Sequence, residues 1–189
     1  MASIERIRVA QVESHLYTEE QIATRVRALG AQISTDYQAL GSDDLILVAV
    51  LRGAAVFLAD LSRNIAPSTV VEFMVVEKIK KSDGNAEVKI IKDLDISITG
   101  RHVLVVEDII DEGETLRFLL DALRLREPAS LKVVTVFDKP SGRKTEIVAD
   151  YVGFEVPGAW VVGYGLDYRQ QYRNLPVLGV LKKEILTGS

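Results

Sequence analysis

Four consecutive apolar residues, Val103 to Val106, run directly into two carboxylates, Glu107 and Asp108, and on through Ile109-Ile110-Asp111-Glu112-Gly113-Glu114-Thr115. No other stretch limits the possible folds as sharply. A short β-branched-rich run reads as a strand buried on both faces of a parallel sheet. Beyond Thr115, Leu116, Leu119, Leu120 and Leu123 recur at helical spacing. The stretch therefore reads as strand, acidic loop, helix. Open α/β sheets bind ligands at the carboxyl ends of their strands, where such a loop sits.

The charges call for a ligand. Glu107, Asp108, Asp111, Glu112 and Glu114 place five carboxylates within eight residues, where they repel one another. Capping a helix needs one or two of them. Gly113 can turn backbone amides toward an anion, and Thr115 adds a hydroxyl donor. Carboxylates can grip vicinal hydroxyls or hold Mg²⁺ through water. Together these parts suit a ribose carrying phosphates, with Mg²⁺. A solvated acidic turn capping a helix is the competing reading, and for the loop in isolation it is the favoured one.

Composition excludes several function classes. With 189 residues, 48% of them hydrophobic, the chain can bury one good core and is expected to form a single domain, 1–189. A net charge of −4 with interspersed signs argues against binding nucleic acid or anionic membranes through bulk charge. The chain has no cysteine, and its two histidines are His15 and His102, so neither a thiolate site nor a zinc centre is expected. The longest apolar run, Leu45–Leu51, is too short to span a bilayer, and the N-terminus has no apolar signal core. A soluble, cytoplasmic protein is expected.

The rest of the chain alternates strands and helices. Thr18-Glu-Glu-Gln21 is a capping box, and Ile22, Val26, Leu29, Ile33 and Tyr37 mark one face of a helix running to about Leu40. Leu45–Leu51 is a buried strand ending in Arg52-Gly53, followed by an apolar helix, Ala54 to Ile65. A basic residue and a glycine at a helix N-terminus can face phosphate, although an ordinary turn has the same local sequence. Val70–Val76 and Val88–Ile91 read as strands, with the polar segment Glu77–Glu87, carrying Lys78, Lys80 and Lys81, as the loop between them. Leu131–Phe137 is a strand ending in Asp138-Lys139-Pro140. Ala149–Phe154, Trp160–Val162 and Val177–Leu181 are further short strands. Between the last two lies the compact polar loop Gly163-Tyr-Gly-Leu-Asp167-Tyr, followed by Arg173. Trp160 can stack on a planar base or fill the core, and its local sequence does not choose.

These pieces, in this order, resemble the hypoxanthine-guanine branch of the phosphoribosyltransferase family over roughly residues 5 to 183. The Glu107–Thr115 stretch carries the likeness most strongly. Arg52-Gly53, Asp138-Lys139, Trp160-Val-Val-Gly-Tyr-Gly-Leu-Asp167-Tyr and Tyr-Arg173-Asn-Leu-Pro support it. The resemblance implies a type I phosphoribosyltransferase fold: α/β, with a mostly parallel twisted sheet flanked by helices and a small hood formed by the N- and C-terminal segments. It implies purine salvage, in which hypoxanthine or guanine and phosphoribosyl pyrophosphate (PRPP) give the purine nucleotide, IMP or GMP, and pyrophosphate. It also implies Mg²⁺ as cofactor and a homodimer or homotetramer.

Roles follow by the same resemblance. Glu107 and Asp108 would hold the ribose hydroxyls. Asp111, Glu112, Gly113, Glu114 and Thr115 would bind the 5′-phosphate, with Asp111 also acting as general base. Arg52, Gly53 and Arg173 would bind pyrophosphate, in a loop where the resemblance implies a cis peptide at either Leu51-Arg52 or Arg52-Gly53. Lys139, Trp160, Val161 and Asp167 would bind the purine, and Glu107, Asp108 and Asp167 would serve Mg²⁺.

Two departures stand out. Lys78 and Ile79 occupy the place of the family's Ser-Tyr pair in a mobile lid, and Glu112 replaces a small hydroxyl residue. The lysine-rich lid is expected to close electrostatically over Mg²⁺·pyrophosphate. A regulator of the same fold that binds nucleic acid and senses PRPP or nucleotides is the alternative reading.

Overall fold

The computed structural model describes residues 11–41, 44–80 and 86–187. Along the chain these form β1 (Val12–Tyr17), α1 (Glu19–Ala39), β2 (Asp44–Val50), α2 (Ala54–Ser62), β3 (Ser68–Lys80), β4 (Ala86–Lys92) and β5 (His102–Ile110). They continue with α3 (Glu114–Arg124), β6 (Ser130–Asp138), a 3-10 turn at Pro140–Gly142, β7 (Tyr151–Glu155), β8 (Val161–Val162), β9 (Leu178–Leu181) and α4 (Lys183–Thr187). Residues 81–85 of the expected loop, including Lys81, lie outside the described residues, as does the start of the chain before Gln11.

Six strands form one sheet in the order β4-β3-β2-β5-β6-β7. β4 alone runs antiparallel to its neighbour; the β3/β2, β2/β5, β5/β6 and β6/β7 pairs are all parallel. The apolar runs explain this. Along β2, Leu45, Leu47 and Ala49 join one core while Ile46 and Val48 join another, so both faces are dry, as a parallel sheet requires. The first core is closed by Ile22, Val26, Leu29, Ile33 and Tyr37 of α1 and by Phe57, Leu58 and Leu61 of α2. The second is closed by Leu116, Leu119, Leu120 and Leu123 of α3. The capping box opens α1: Gln21 N donates to Thr18 Oγ1 (3.3 Å) and Thr18 N to Gln21 Oε1 (2.8 Å). This is the α/β architecture that the alternation of strands and helices implies.

A second, three-stranded antiparallel sheet, β1-β9-β8, joins the N-terminal segment to the C-terminal one. It has its own small core of Val12, Val162, Tyr172, Leu175 and Leu181. The sequence reading did not single out β1 as a strand: Glu13, Ser14 and His15 are exposed, so little apolar alternation marks it.

Two boundaries differ from expectation. β5 does not stop at Val106 but stays paired with β6 as far as Ile110↔Asp138. Glu107 and Asp108 are therefore strand residues, and the loop proper is Asp111–Gly113. The segment from Glu77 is likewise not all loop. β3 and β4 continue as a twisted hairpin through Lys78↔Val88 to Lys80↔Ala86, because an antiparallel ladder needs paired backbones and tolerates polar side chains facing water.

Candidate active site

Parallel strands end on one side of the sheet, so the fold brings the ends of β2, β5 and β6 together. The peptide joining Leu51 to Arg52 there is cis, the first of the two bonds that the sequence left open. Glu107 faces Thr135 of β6 and is buried. Asp108 lies against the Arg52-Gly53 turn. A Cβ on Gly53 would overlap Asp108 Oδ2, so only glycine lets the turn approach this carboxylate. Burial, with the Asp108 charge adding to it, holds the Glu107 carboxyl well above the usual carboxylate range. Burial also lifts Asp108 to about 6, against the opposing pull of the Ile109 N–H and the Arg173 guanidinium.

The chain then bends into α3. Gly113 caps this helix at φ +82°, the left-handed region, and a Cβ there would collide with Thr145 Oγ1. Glu114 and Thr115 occupy the first helical turn. The five carboxylates are thus dispersed. Two sit in the strand, Asp111 accepts from Lys139 Nζ at 2.9 Å, and Glu112 and Glu114 are paired with lysines outside the loop. Lys144 bonds Glu112, which lowers the Glu112 pKa. Lys78 bonds Glu114, which raises the Lys78 pKa, and its Nζ stands 3.6 Å from Glu112.

Two adjoining cavities meet at Ile109 and Asp111. The first, about 360 Å³, is lined by Val50, Lys78, Glu107 and the run Ile109 to Leu116. The second, about 220 Å³, is lined by Asp108, Ile109, Asp111, Lys139, Ala159, Trp160, Val161, Leu166 and Asp167. Trp160 is 50% exposed and lies edge-on to Tyr168 with ring centroids 5.7 Å apart, so it does not fill the core. A larger cavity of about 480 Å³ opens between α1 and α2. Of the candidate site residues it contains only Arg173, so size does not identify the site.

Arg52 and Arg173 converge on one acceptor. Gln170 Oε1 accepts from Arg52 Nη1 and from Arg173 Nη2, each at 3.0 Å. Arg173 also donates to Gly165 O (2.7 Å) and pairs with Asp167 (2.7 Å). Asp167 therefore stands in an ion pair. Among the described residues, no three acidic or histidine side chains lie close enough to hold a metal ion by themselves. Glu107, Asp108 and Asp167, expected to serve Mg²⁺, are not such a group.

Sequence reasoning missed several contributors. Arg143 Nε donates to Asp111 O (2.9 Å) and its Nη2 to Ile110 O (3.2 Å), while the guanidinium pairs with Asp138. It clamps the backbone on which Asp111 turns, from a loop four residues past Lys139. Gln170 and Lys144 were likewise unmarked, and nothing local signals them, since they act through Arg52 and Glu112, distant in sequence.

The site can be set beside known proteins. The model of the phosphoribosyl transferase domain matches residues 13–169. The hypoxanthine-guanine phosphoribosyltransferase of Bacillus subtilis is 49% identical over 92% of this chain and 96% of its own length. That of Streptococcus agalactiae is 45% identical over the same shares. A crystal structure of a hypoxanthine phosphoribosyltransferase from Staphylococcus aureus superposes with a TM-score of 0.89 at 42% identity, covering 95% of this chain and 96% of the other. With its doubly covered parallel sheet, its acidic strand end and these relatives, the chain belongs to the hypoxanthine-guanine phosphoribosyltransferase family.

Proposed function

We propose that the protein transfers phosphoribose from PRPP to a 6-oxopurine, hypoxanthine or guanine, giving IMP or GMP and pyrophosphate. The observation that carries this reading is the pair of cavities meeting at Asp111: one lined by a strand's carboxylates and a helix N-terminus, the other by Lys139 and Trp160. The first suits ribose 5-phosphate and the second a flat base, with the bond to be made lying between them.

Breaking the bond from ribose C1 to pyrophosphate leaves positive charge on the sugar and negative charge on the leaving group. Groups preorganised at those positions stabilise the transition state. Glu107 and Asp108 hold the ribose hydroxyls, facing the sugar where its charge grows. The amides of Glu112 to Thr115 and the Thr115 hydroxyl receive the 5′-phosphate at the start of α3. Arg52, the Gly53 amide and Arg173 receive pyrophosphate, and Gln170 holds the two guanidinium groups in place for it. Lys139 donates to purine O6, Trp160 stacks on the ring, and backbone groups near Val161 and Asp167 read the ring edge. A purine entering the second cavity draws Lys139 from Asp111. The freed Asp111 carboxylate then takes the N7 proton as N9 attacks, a role that contributes about 10²- to 10⁴-fold.

Mg²⁺ fits these residues as a shared ligand. Among the described residues the Glu107 carboxyl is buried beside the Asp108 charge, and no group of three acidic or histidine side chains could hold a metal ion by itself. That arrangement suits an ion that keeps much of its water and is held jointly by substrate and by Glu107, Asp108 and Asp167. When bound it would neutralise pyrophosphate.

Residues 1–189 act as one domain in this reading, with the β1-β9-β8 sheet as its hood. The protein works in the cytoplasm as a homodimer or homotetramer. No helix among the described residues is long and apolar enough to cross a membrane. The nucleic-acid-binding alternative, which rests on the altered lid Lys78-Ile-Lys-Lys81 and on Glu112, is not favoured, since Lys78 is engaged by Glu114 and Glu112 by Lys144. The test is nucleotide formation from PRPP and Mg²⁺ with hypoxanthine, guanine, xanthine and adenine in turn. Turnover of the 6-oxopurines with adenine rejected is expected; release of no pyrophosphate with any base would overturn the reading.

A further inference from the structure

Lys78 enters the first cavity from the β3–β4 hairpin, where the sequence departs most from its family's pattern. Its ammonium bonds Glu114 and stands 3.6 Å from Glu112. Both glutamates, one in the loop and one in the first turn of α3, stand where the proposed reaction places a phosphate dianion. Two carboxylates at such a place repel the ligand unless something offsets them. Lys144 is a second partner of Glu112, so the closest carboxylate contact of Lys78 in the cavity is with Glu114. These two side chains are 42% and 39% exposed. Ion pairs this open to water are weak and exchange partners readily. A phosphate dianion offers the ammonium twice the charge of a carboxylate and three acceptor oxygens.

We propose that Lys78 is a ligand of the substrate's 5′-phosphate and that Glu114 holds it in reserve. Binding is then an exchange, in which phosphate takes the ammonium and Glu114 turns to water. The inference rests on the first cavity being the ribose-phosphate site. It differs from a lid that closes over pyrophosphate, and from a plain fastener between the hairpin and α3.

Calorimetry with IMP and with pyrophosphate separates these possibilities. IMP carries a 5′-phosphate and no pyrophosphate, and the chemistry need not run. Lys78→Met should weaken IMP binding about tenfold, the scale of one charge-assisted hydrogen bond, and leave pyrophosphate binding unchanged. Lys78→Arg should restore most of the loss. Glu114→Gln should tighten IMP binding about threefold when Lys78 is present and have no effect in the Lys78→Met background, a dependence read by the double-mutant cycle. Weaker IMP binding in Glu114→Gln makes the pair a fastener and overturns the proposal. Equal tightening in both backgrounds makes Glu114 a bystander that merely repels phosphate, which also overturns it. Loss of pyrophosphate binding in Lys78→Met assigns the lysine to the leaving group instead. Wild-type protein that fails to bind IMP at all would instead reject the ribose-phosphate assignment of the cavity.

Discussion

Replacing Asp108 with asparagine should make the ligand-free protein more stable while removing its activity. Burial lifts the Asp108 carboxyl to about 6 from the ordinary 3.8. A shift of about two pKa units corresponds to about 3 kcal/mol between the two protonation states. Between pH 3.8 and 6 the folded chain holds a proton that the unfolded chain has released. Stability contributed by this group is therefore greatest below that window, falls as pH rises through it, and stays low above it. At neutral pH the folded protein carries a charge it would be more stable without. The asparagine of Asp108→Asn keeps an oxygen to accept the Ile109 N–H, a bond that Asp108 makes at 2.8 Å, and it never ionises. Because Asp108 is only partly shielded from solvent, the expected gain is about 1–3 kcal/mol.

The assay is urea unfolding of both proteins from pH 4 to 7.5 without Mg²⁺. The stability gap should be near zero at pH 4 and grow to its full value by about pH 7, raising Tm by roughly 2–4 °C per kcal/mol for a chain of this size. In the same variant kcat/KM for PRPP should fall at least tenfold, because a neutral amide holds ribose hydroxyls and a hydrated cation less well than a carboxylate. A gap that does not change with pH, or a variant less stable than wild type at pH 7.5, would refute the claim that burial strains this charge.

Two further substitutions test the base pocket. Asp111→Asn should lower kcat by about 10²-fold or more while leaving PRPP affinity within a few-fold, measured by single-turnover kinetics and equilibrium binding; an unchanged rate of the chemical step removes Asp111 from proton transfer. Lys139→Gln can donate to a 6-oxo group and accept from a 6-amino group, so the ratio of kcat/KM for hypoxanthine over adenine should drop by about tenfold or more. A constant ratio would mean that another group reads position 6.

The sequence carried those parts of the molecule whose cause is local. The face Ile22, Val26, Leu29, Ile33, Tyr37 and its capping box are periodic and contiguous, and the helix follows them. Leu45–Leu51 and Val103–Val106 were legible as doubly buried strands because parallel pairing needs apolar residues on both faces. What stayed hidden was set by partners distant in sequence. β5 runs on through Glu107 and Asp108 because β6 supplies backbone partners as far as Asp138, and no local propensity announces that. Glu77–Lys80 forms strand because β4 returns alongside it. Glu112 and Glu114 seemed a liability in a phosphate loop until Lys144 and Lys78 were placed beside them. Arg143 lay four residues past a residue already singled out, yet its task is to hold two backbone carbonyls of another loop.

The same pairing changes what salt should do. A lysine-rich hairpin suggested that PRPP is drawn in electrostatically, with kcat/KM falling steeply as ionic strength rises. The structure gives Lys78 to Glu114, Lys144 to Glu112, Lys139 to Asp111 and Arg173 to Asp167. Each of these cations already has a carboxylate within contact distance. Seen from a Debye length away, about 8–10 Å in ordinary buffer, such pairs cancel, and the site exerts little pull on an anion. Salt loosens the resting pairs and the substrate's contacts together, so the two effects oppose each other. Between roughly 50 and 300 mM KCl, at saturating Mg²⁺, kcat/KM for PRPP should therefore vary by no more than about twofold. Glu112→Gln with Glu114→Gln unmasks two lysines, and that variant should show both a higher kcat/KM at low salt and a clear decline as salt is added. A steep decline already present in wild type, parallel to that of the double variant, would show that the lysines act at long range and that their carboxylate partners do not screen them.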